Sequence, residues 1–381
     1  MPAAHPRVLV AHPSGELYGS DRMLHESVAA LAAAGWDVLV ALATDGPLRA
    51  LLEGTGARVV VAPAPVVRKN LLSPAGVVRF AAANLRAAPR LWRLLRGFGP
   101  DVVYVSTVTV PLWLLVGRLA TRRTVCHVHE AEEGVPRPVR LALALPLLLA
   151  RVVLANSRLS RDVVVRDLAA LGRRTRVLYN GVPGPERWTP PRPALTGPVR
   201  LVLVGRVSPR KGTDVAVAAL GHLRERGVDA ELTLVGAVFE GYEWFEREVR
   251  DEAARRGLEA HVHWRGVLPV IWEELAAADV ALVPSRVEPF GNAAVEALLA
   301  CRPVVVGDTQ GLREIVEPGV DGERAAAGDA VALADAVERV LTDWDGAVRR
   351  ALTARERAAG RFGTQRYRDE LVEVLAALPR R

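Results

Sequence analysis

The sequence predicts an α/β protein made of two Rossmann-like domains facing each other across a cleft. Three observations carry this. The chain has 381 residues, more than the roughly 100 to 200 usual for one domain. Short β-branched apolar runs alternate with segments of helical spacing, the pattern of parallel strands buried on both faces. That alternation stops at a Pro- and Gly-rich stretch, residues 180–200, and then begins again.

In the first half, "RVLVAHP" reads as a strand entering a Gly loop, and "SDRMLHESVAALAAAG" as the helix after it, closed by Gly35. "WDVLVALATDG", "ARVVVAP", "DVVYVSTV" and "RTVCHVHE" supply further strands. The second half opens with "VRLVLVGRV" and continues through "AELTLVGAV", "HVHWRGV", "DVALVPS" and "RPVVVGD". This sets a first domain at 1–182, a linker at 183–198, a second domain at 199–360 and a terminal helix at 361–381 that can cross back to the first domain. In open α/β sheets ligands bind beyond the carboxyl ends of the strands, so the strand-end loops are where chemistry is expected.

Half of the residues are apolar and 24% are charged, as in a folded globular chain. Two cysteines, Cys126 and Cys301, lie far apart, which suits a reducing cytoplasm and neither a disulfide scaffold nor a zinc site. No signal peptide is expected, and the most apolar stretch, 141–155, is broken by Pro146 and Arg151. Residues 1–190 hold 24 Arg and Lys against 13 Asp and Glu, while the rest of the chain is net acidic. A basic first domain favours anionic partners, an acidic membrane surface among them. Recognition elements for nucleic acid are missing, so no nucleic-acid partner is expected.

Two motifs bear on chemistry in the second half. "GRVSPRKGTD" runs from a strand end through Arg206 to Lys211 and a helix start near Thr213. Two cations and helix amides at one loop mouth suit a diphosphate, although an exposed basic turn has the same composition. It is neither a Walker loop nor G-x-G-x-x-G. "EPFGNAAVEALLACRPVVVG" holds Glu288 on a Pro/Gly loop, offers Asn292 as an N-cap and sets Glu296 in the first turns of the following helix. The two acids can accept from sugar hydroxyls, and the amides of Gly291 and Asn292 can donate to a sugar or phosphate oxygen. The plainer alternative is a solvated Glu288 and a Glu296 that only stabilises the helix start.

Taken in order and spacing, "GRVSPRKGTD", "ADVALVPSRVEPFGNAAVEALLACRPVVVG" and "GLREIVEPGVDG" resemble the second domain of the retaining glycosyltransferases of family 4, which have the GT-B fold. "VLYNGV" resembles the end of that family's first domain, and "LYGSDRML" its first Gly loop, with Gly19 and Ser20 where a pair of glycines is usual. The resemblance implies a nucleotide-sugar donor held mainly by the second domain. Arg206 and Lys211 would neutralise the diphosphate, Glu296 would hold the ribose, and Glu288 with the Phe290, Gly291 and Asn292 backbone would hold the sugar. His129 in "CHVHE" matches the family's histidine that contacts the donor sugar; read from the residues alone, H-x-H could equally suggest a metal ligand, but no third or fourth ligand sits at a convincing spacing, and a packed or surface histidine is the lesser alternative. The family implies no metal and no cofactor, and a displacement in which the leaving phosphate helps take the acceptor proton. A GT-B epimerase or phosphorylase, or a non-catalytic sugar-nucleotide binder, are the alternatives.

"RAAPRLWRLLRGFG" places Arg86, Arg90, Arg93 and Arg96 on one helical face with Leu91, Trp92, Leu94, Leu95 and Phe98 between them. Such a helix can lie in a membrane surface or be an ordinary amphipathic helix with a solvated arginine stripe. Nothing in the first-domain loops names the acceptor.

Overall fold

The computed structural model describes residues 5–17, 19–67, 73–131, 133–238 and 241–379. The chain forms two compact units: residues 1–181 with 364–381, and residues 182–363.

The first unit is a seven-stranded sheet of order β3-β2-β1-β4-β5-β6-β7 with every adjacent pair parallel. Its strands are β1 (Arg7–His12), β2 (Asp37–Leu42), β3 (Arg58–Val61), β4 (Val102–Val105), β5 (Thr124–Val128), β6 (Val152–Ala155) and β7 (Thr175–Val177). Helices α1 (Gly19–Ala33), α2 (Leu48–Glu53), α3 (Pro74–Phe98), α4 (Pro111–Ala120), α5 (Arg137–Ala144) and α6 (Arg158–Asp167) connect them. Helical crossovers are what parallel neighbours require. Two apolar clusters fill the unit. One joins Leu9 and Val103 to Leu91, Leu95, Phe98 and Trp113, and the other joins Val8 and Tyr104 to Leu24, Leu31 and Tyr367.

The second unit repeats the plan with six parallel strands in the order β10-β9-β8-β11-β12-β13. These are β8 (Val199–Val204), β9 (Ala230–Val235), β10 (Val262–Gly266), β11 (Val280–Val283), β12 (Val304–Gly307) and β13 (Glu323–Ala325). Its helices are α7 (Thr213–Glu225), α8 (Glu243–Arg255), α9 (Trp272–Ala277), α10 (Asn292–Leu299), α11 (Leu312–Ile315), α12 (Ala330–Thr342) and α13 (Trp344–Phe362). In each unit the strand order reverses beside the first strand, between β1 and β4 and between β8 and β11, and loops diverging from such a point leave a crevice at the carboxyl edge.

Three strands are not singled out by the sequence pattern. β6 ends a long, mostly apolar stretch, 141–155, in which no strand period stands out, and β7 and β13 are three residues each, too short to show a period. The expected linker is also different. Residues 182–198 pack into the second unit, where Arg192 makes a two-pronged ion pair with Asp279 (both 2.7 Å) and Trp344 Nε1 donates to Arg192 O (3.0 Å). Prolines suppress periodicity in this stretch, but its polar groups still find partners.

The final helix, α14 (Thr364–Ala376), belongs to the first unit and packs on α1. Tyr367, Leu371 and Leu375 are fully buried there, Tyr367 OH meets Ser27 Oγ at 2.6 Å, and Arg368 Nη2 donates to Glu26 Oε2 at 2.6 Å. Gly363, extended at φ −66°, ψ 151°, separates α13 from α14.

Candidate functional site

In the second unit the functional candidates gather at the strand reversal. β8 ends at Val204 and the chain passes Gly205 and Arg206 into a short 3-10 turn, Pro209–Lys211. The stem of Lys211 runs over Gly205: a Cβ built there would lie 3.8 Å from Lys211 Cδ. Gly212 then caps α7 in the left-handed region, at φ 71°, and a Cβ on it would sit 2.2 Å from Pro284 O, the carbonyl just past β11. Only glycine allows this approach. The loop after β8 is thereby seated against the loop after β11.

Glu288 lies on that second loop and is 7% exposed. Its Oε2 accepts from Lys211 Nζ in a close ion pair and from Ser285 Oγ at 3.3 Å, and its N–H donates to Gln310 Oε1 at 2.9 Å. Burial pushes the Glu288 carboxyl up, but the Lys211 and Arg210 charges, with hydrogen bonds from Lys211 and Ser285, more than offset it, and the net shift is below the usual carboxylate range. Glu288 is therefore an anion in a largely buried place.

Arg286 ties the same loops together. It holds Asp214, in the first turn of α7, through two bonds of 2.8 and 2.6 Å and donates to Pro209 O at 2.7 Å, while its own carbonyl accepts from Thr309 Oγ1 at 3.0 Å. Three strand-end loops, after β8, β11 and β12, thus share a hydrogen-bonded frame. Sequence reasoning missed Arg286, Asp214, Ser285 and Gln310. The nearest signal was Arg286 two residues before Glu288; its partner is 72 residues away and no local pattern names it.

The helix after Glu288 starts differently from the expectation. Gly291, not Asn292, occupies the N-cap of α10, at φ 125°, and Asn292 is the first helical residue. The reason is space. A Cβ at 291 would stand 2.5 Å from Leu312 Cδ2, so the position closest to α11 must lack one. Phe290 turns inward, 2% exposed, and its ring meets Phe362 edge-on at 5.6 Å, which leaves only its backbone for the crevice. Glu296 sits one turn into α10, partly buried, as does Arg206 at the end of β8. First-turn amides of α10 point out of its N-terminus and favour negative charge there.

The first unit has its own polar cluster at the carboxyl edge of its sheet. His12, the last residue of β1, is buried with Nδ1 2.6 Å from Ser106 Oγ and Nε2 2.7 Å from Asp21 Oδ1. His127, inside β5, is hydrogen-bonded to Tyr104 OH at 2.7 Å, and its ring lies 4.1 Å from that of His129. His129 is partly buried just beyond β5. Burial first and His12 second lower its pKa to about 3, against a raising influence from Asp21, so its ring is neutral near pH 7. Glu130 fixes the turn, accepting from His129 N–H at 2.9 Å and from Thr107 Oγ1 at 2.5 Å. Gly19 is exposed as the first residue of α1, and Tyr18 of the same motif lies outside the described residues. Sequence reasoning named His129 but missed the His12, Asp21 and Ser106 group, which comes from three separate segments.

Among the described residues no group of three or more His, Cys, Asp or Glu suits a metal ion, and no helix is long and apolar enough to cross a membrane. In α3 the apolar side chains of Leu91, Leu95 and Phe98 are buried in the core, while Arg86, Arg90, Arg93 and Arg96 are exposed. The apolar stripe of this helix is used by the fold itself.

The profile of the family described as Glycosyl transferases group 1 matches residues 187–358, and that of Glycosyltransferase Family 4 matches residues 18–183. The chain is 29% identical to a Mycobacterium tuberculosis protein named glycogen synthase, over 97% of this chain and 93% of that one. It is 31% identical to D-inositol 3-phosphate glycosyltransferase of Xylanimonas cellulosilytica, over 70% of this chain and 67% of the other. The crystal structure of Anabaena HepE in complex with UDP-glucose superposes with a TM-score of 0.80 at 24% identity, covering 98% of this chain and 100% of HepE.

Proposed function

Since the chain belongs to the glycosyl transferases group 1 family, with the paired Rossmann-like domains of the GT-B fold, we propose that it is a retaining hexosyltransferase that moves a sugar from a nucleotide-sugar to a hydroxyl acceptor. The observation that carries this reading is the Lys211–Glu288 pair at the strand reversal of the second unit, framed by Arg206, the α7 start and the α10 N-terminus.

In this reading Arg206 and Lys211 neutralise the donor diphosphate, whose charge grows as the glycosidic bond to it breaks. Glu288 holds the Lys211 side chain in place through their direct contact and accepts from hydroxyls of the sugar. The Phe290, Gly291 and Asn292 backbone and Glu296 hold the sugar and the ribose. His129, neutral in the first unit, offers an uncharged donor to the sugar. Gly19 at the start of α1 lets substrate approach the backbone. Catalysis is then positioning together with charge stabilisation at the leaving phosphate, which also takes the acceptor proton. No metal is needed because the cations come from side chains. The UDP-glucose bound by HepE makes a uridine diphosphate sugar the first donor to test.

The acceptor falls to the first unit, and a lipid-linked glycan of cell-surface polysaccharide assembly or a natural-product aglycone fits the family. Such work places the enzyme in the cytoplasm, with the exposed arginines of α3 touching the inner membrane face through charge alone. Flotation with anionic vesicles tests that contact, and absence of binding at low salt ends it.

The donor site is tested by thermal shift with UDP, GDP, ADP and dTDP on wild type and on Lys211→Ala. Stabilisation by one nucleotide, lost in the variant, is expected. Equal shifts in both proteins would remove Lys211 from the donor site.

A further inference from the structure

We propose that the first unit carries a second anion site, at the amino-terminal edge of its sheet, which binds a compact polyphosphate or a phosphate monoester through four arginines. A cavity of about 310 Å³ opens there, lined by Arg151, Arg173, Arg174 and Arg176 with Val374 and Leu378 among its apolar wall. Arg151 directly precedes β6, and Arg174 and Arg176 flank Thr175, the first residue of β7. The parallel register pairs Val153 with Thr175, so two residues earlier it sets Arg151 beside Arg173.

Among the described residues, no carboxylate lines the cavity. Among the described residues, none of the four guanidinium groups is in an ion pair, although Arg174 Nη1 donates to Leu148 O at 3.3 Å. This contrasts with Arg140 of the same unit, which is held by Asp167 at 2.7 Å. Four like charges around one opening repel each other and concentrate anions. Guanidinium forks match the paired oxygens of phosphate, and charge-assisted bonds of this kind are the strong ones. An opening of this size is roomy enough for two or three linked phosphates or a small sugar phosphate.

The location separates this site from the sugar-transfer chemistry. In a parallel sheet all carboxyl ends share one edge, where His12 and His129 lie, and Arg151 and Arg174 immediately precede their strands at the other. The end of the chain forms part of the wall, since Val374 belongs to α14 and Leu378 follows it. An anion bound here would brace the last turn of α14 against β6 and β7.

The test uses the full chain carrying Lys211→Ala, so that the loop after β8 contributes less to phosphate binding, titrated calorimetrically with sodium tripolyphosphate. Adding Arg151→Gln and Arg176→Gln is expected to weaken binding about tenfold or more, the loss of two charge-assisted contacts. Arg173→Gln alone should weaken it by a smaller factor, and circular dichroism melting should show both proteins folded, since these side chains are exposed. A parallel arm measures sedimentation with phosphatidic acid vesicles. Loss of tripolyphosphate binding in the variant assigns a free polyphosphate, and loss confined to the vesicles assigns a lipid phosphate. Unchanged binding of both probes by the variants overturns the proposal.

Discussion

Lys211 and Glu288 are 77 residues apart in the chain, yet the ammonium of one donates directly to the carboxylate of the other where the loops after β8 and β11 meet. The pair is mostly shielded from water, at 16% and 9% side-chain exposure. Removing one partner of such a pair strands a charge, which costs about 3–5 kcal/mol when burial is complete and less here. We therefore expect Lys211→Met and Glu288→Gln each to destabilise the protein by roughly 2–4 kcal/mol, and the double change to cost less than their sum. Denaturant melts of the four proteins measure the coupling, and simple additivity would mean that the pair is not energetically linked.

Gly212→Ala tests the seating of the loop. At φ 71° with Pro284 O only 2.2 Å from the new Cβ, alanine must displace either the loop or the end of β11. The expected cost is at least about 1–3 kcal/mol, with nucleotide binding weakened as well because Lys211 moves. Calorimetric melting and a nucleotide titration read the two effects.

The Arg286–Asp214 pair should behave differently. Both side chains are about one-third exposed, at 36% and 37%, so Asp214→Asn is expected to change stability by less than about 1 kcal/mol. Its effect should appear in the donor KM, since the frame that aligns the loops is loosened. An unchanged KM beside an unchanged melting temperature would show that the clamp has no part in donor binding.

Acid should weaken the first unit before it weakens the Glu288 loop of the second. His129 is lowered to about 3, and His127 is also lowered well below its usual value by burial and by His129. Between the folded and unfolded pKa values the unfolded state binds more protons, so stability is full above about pH 6.5 and falls as the pH drops through the histidine range. Glu288, shifted down, adds a further loss only below the ordinary carboxylate range near 4.5. Denaturation at stepped pH should show the first decline starting near 6.5, and His127→Phe should reduce it. For the same reason His129 should contribute no inflection to the rate profile between pH 5 and 8, and imidazole NMR shifts that titrate in that range would contradict its neutral state.

Leu371→Ala is expected to cost about 2–5 kcal/mol, as for any fully buried leucine, and to act on the first unit although the residue lies near the end of the chain. Hydrogen exchange resolved by segment distinguishes the units: loss of protection should appear in α1 and β1 and spare β8 and β11.

Much of this protein was legible in the order of its residues. Ten of the strands announce themselves as β-branched runs between Gly loops, because strands buried on both faces need unbroken apolar side chains. Arg206, Lys211, Glu288 and Glu296 stand out as charged groups at strand ends and helix starts, local features that a sequence displays directly, and the family resemblance is what links them to a sugar-nucleotide. What only the tertiary structure decided concerns partners distant in sequence. Glu288 could be read as a solvated acid until Lys211, Ser285 and Gln310 closed around it. Asn292 looked like the cap, but the approach of Leu312 gave that place to Gly291. His12, Asp21 and Ser106 meet through the pairing of β1 with β4. The proline-rich stretch joined the second unit, and α14 returned to the first. Periodicity and turn chemistry act over a few residues, so they set the strands and helices; burial, charge pairing and close approach act across the fold, so they appear only when distant segments are brought together.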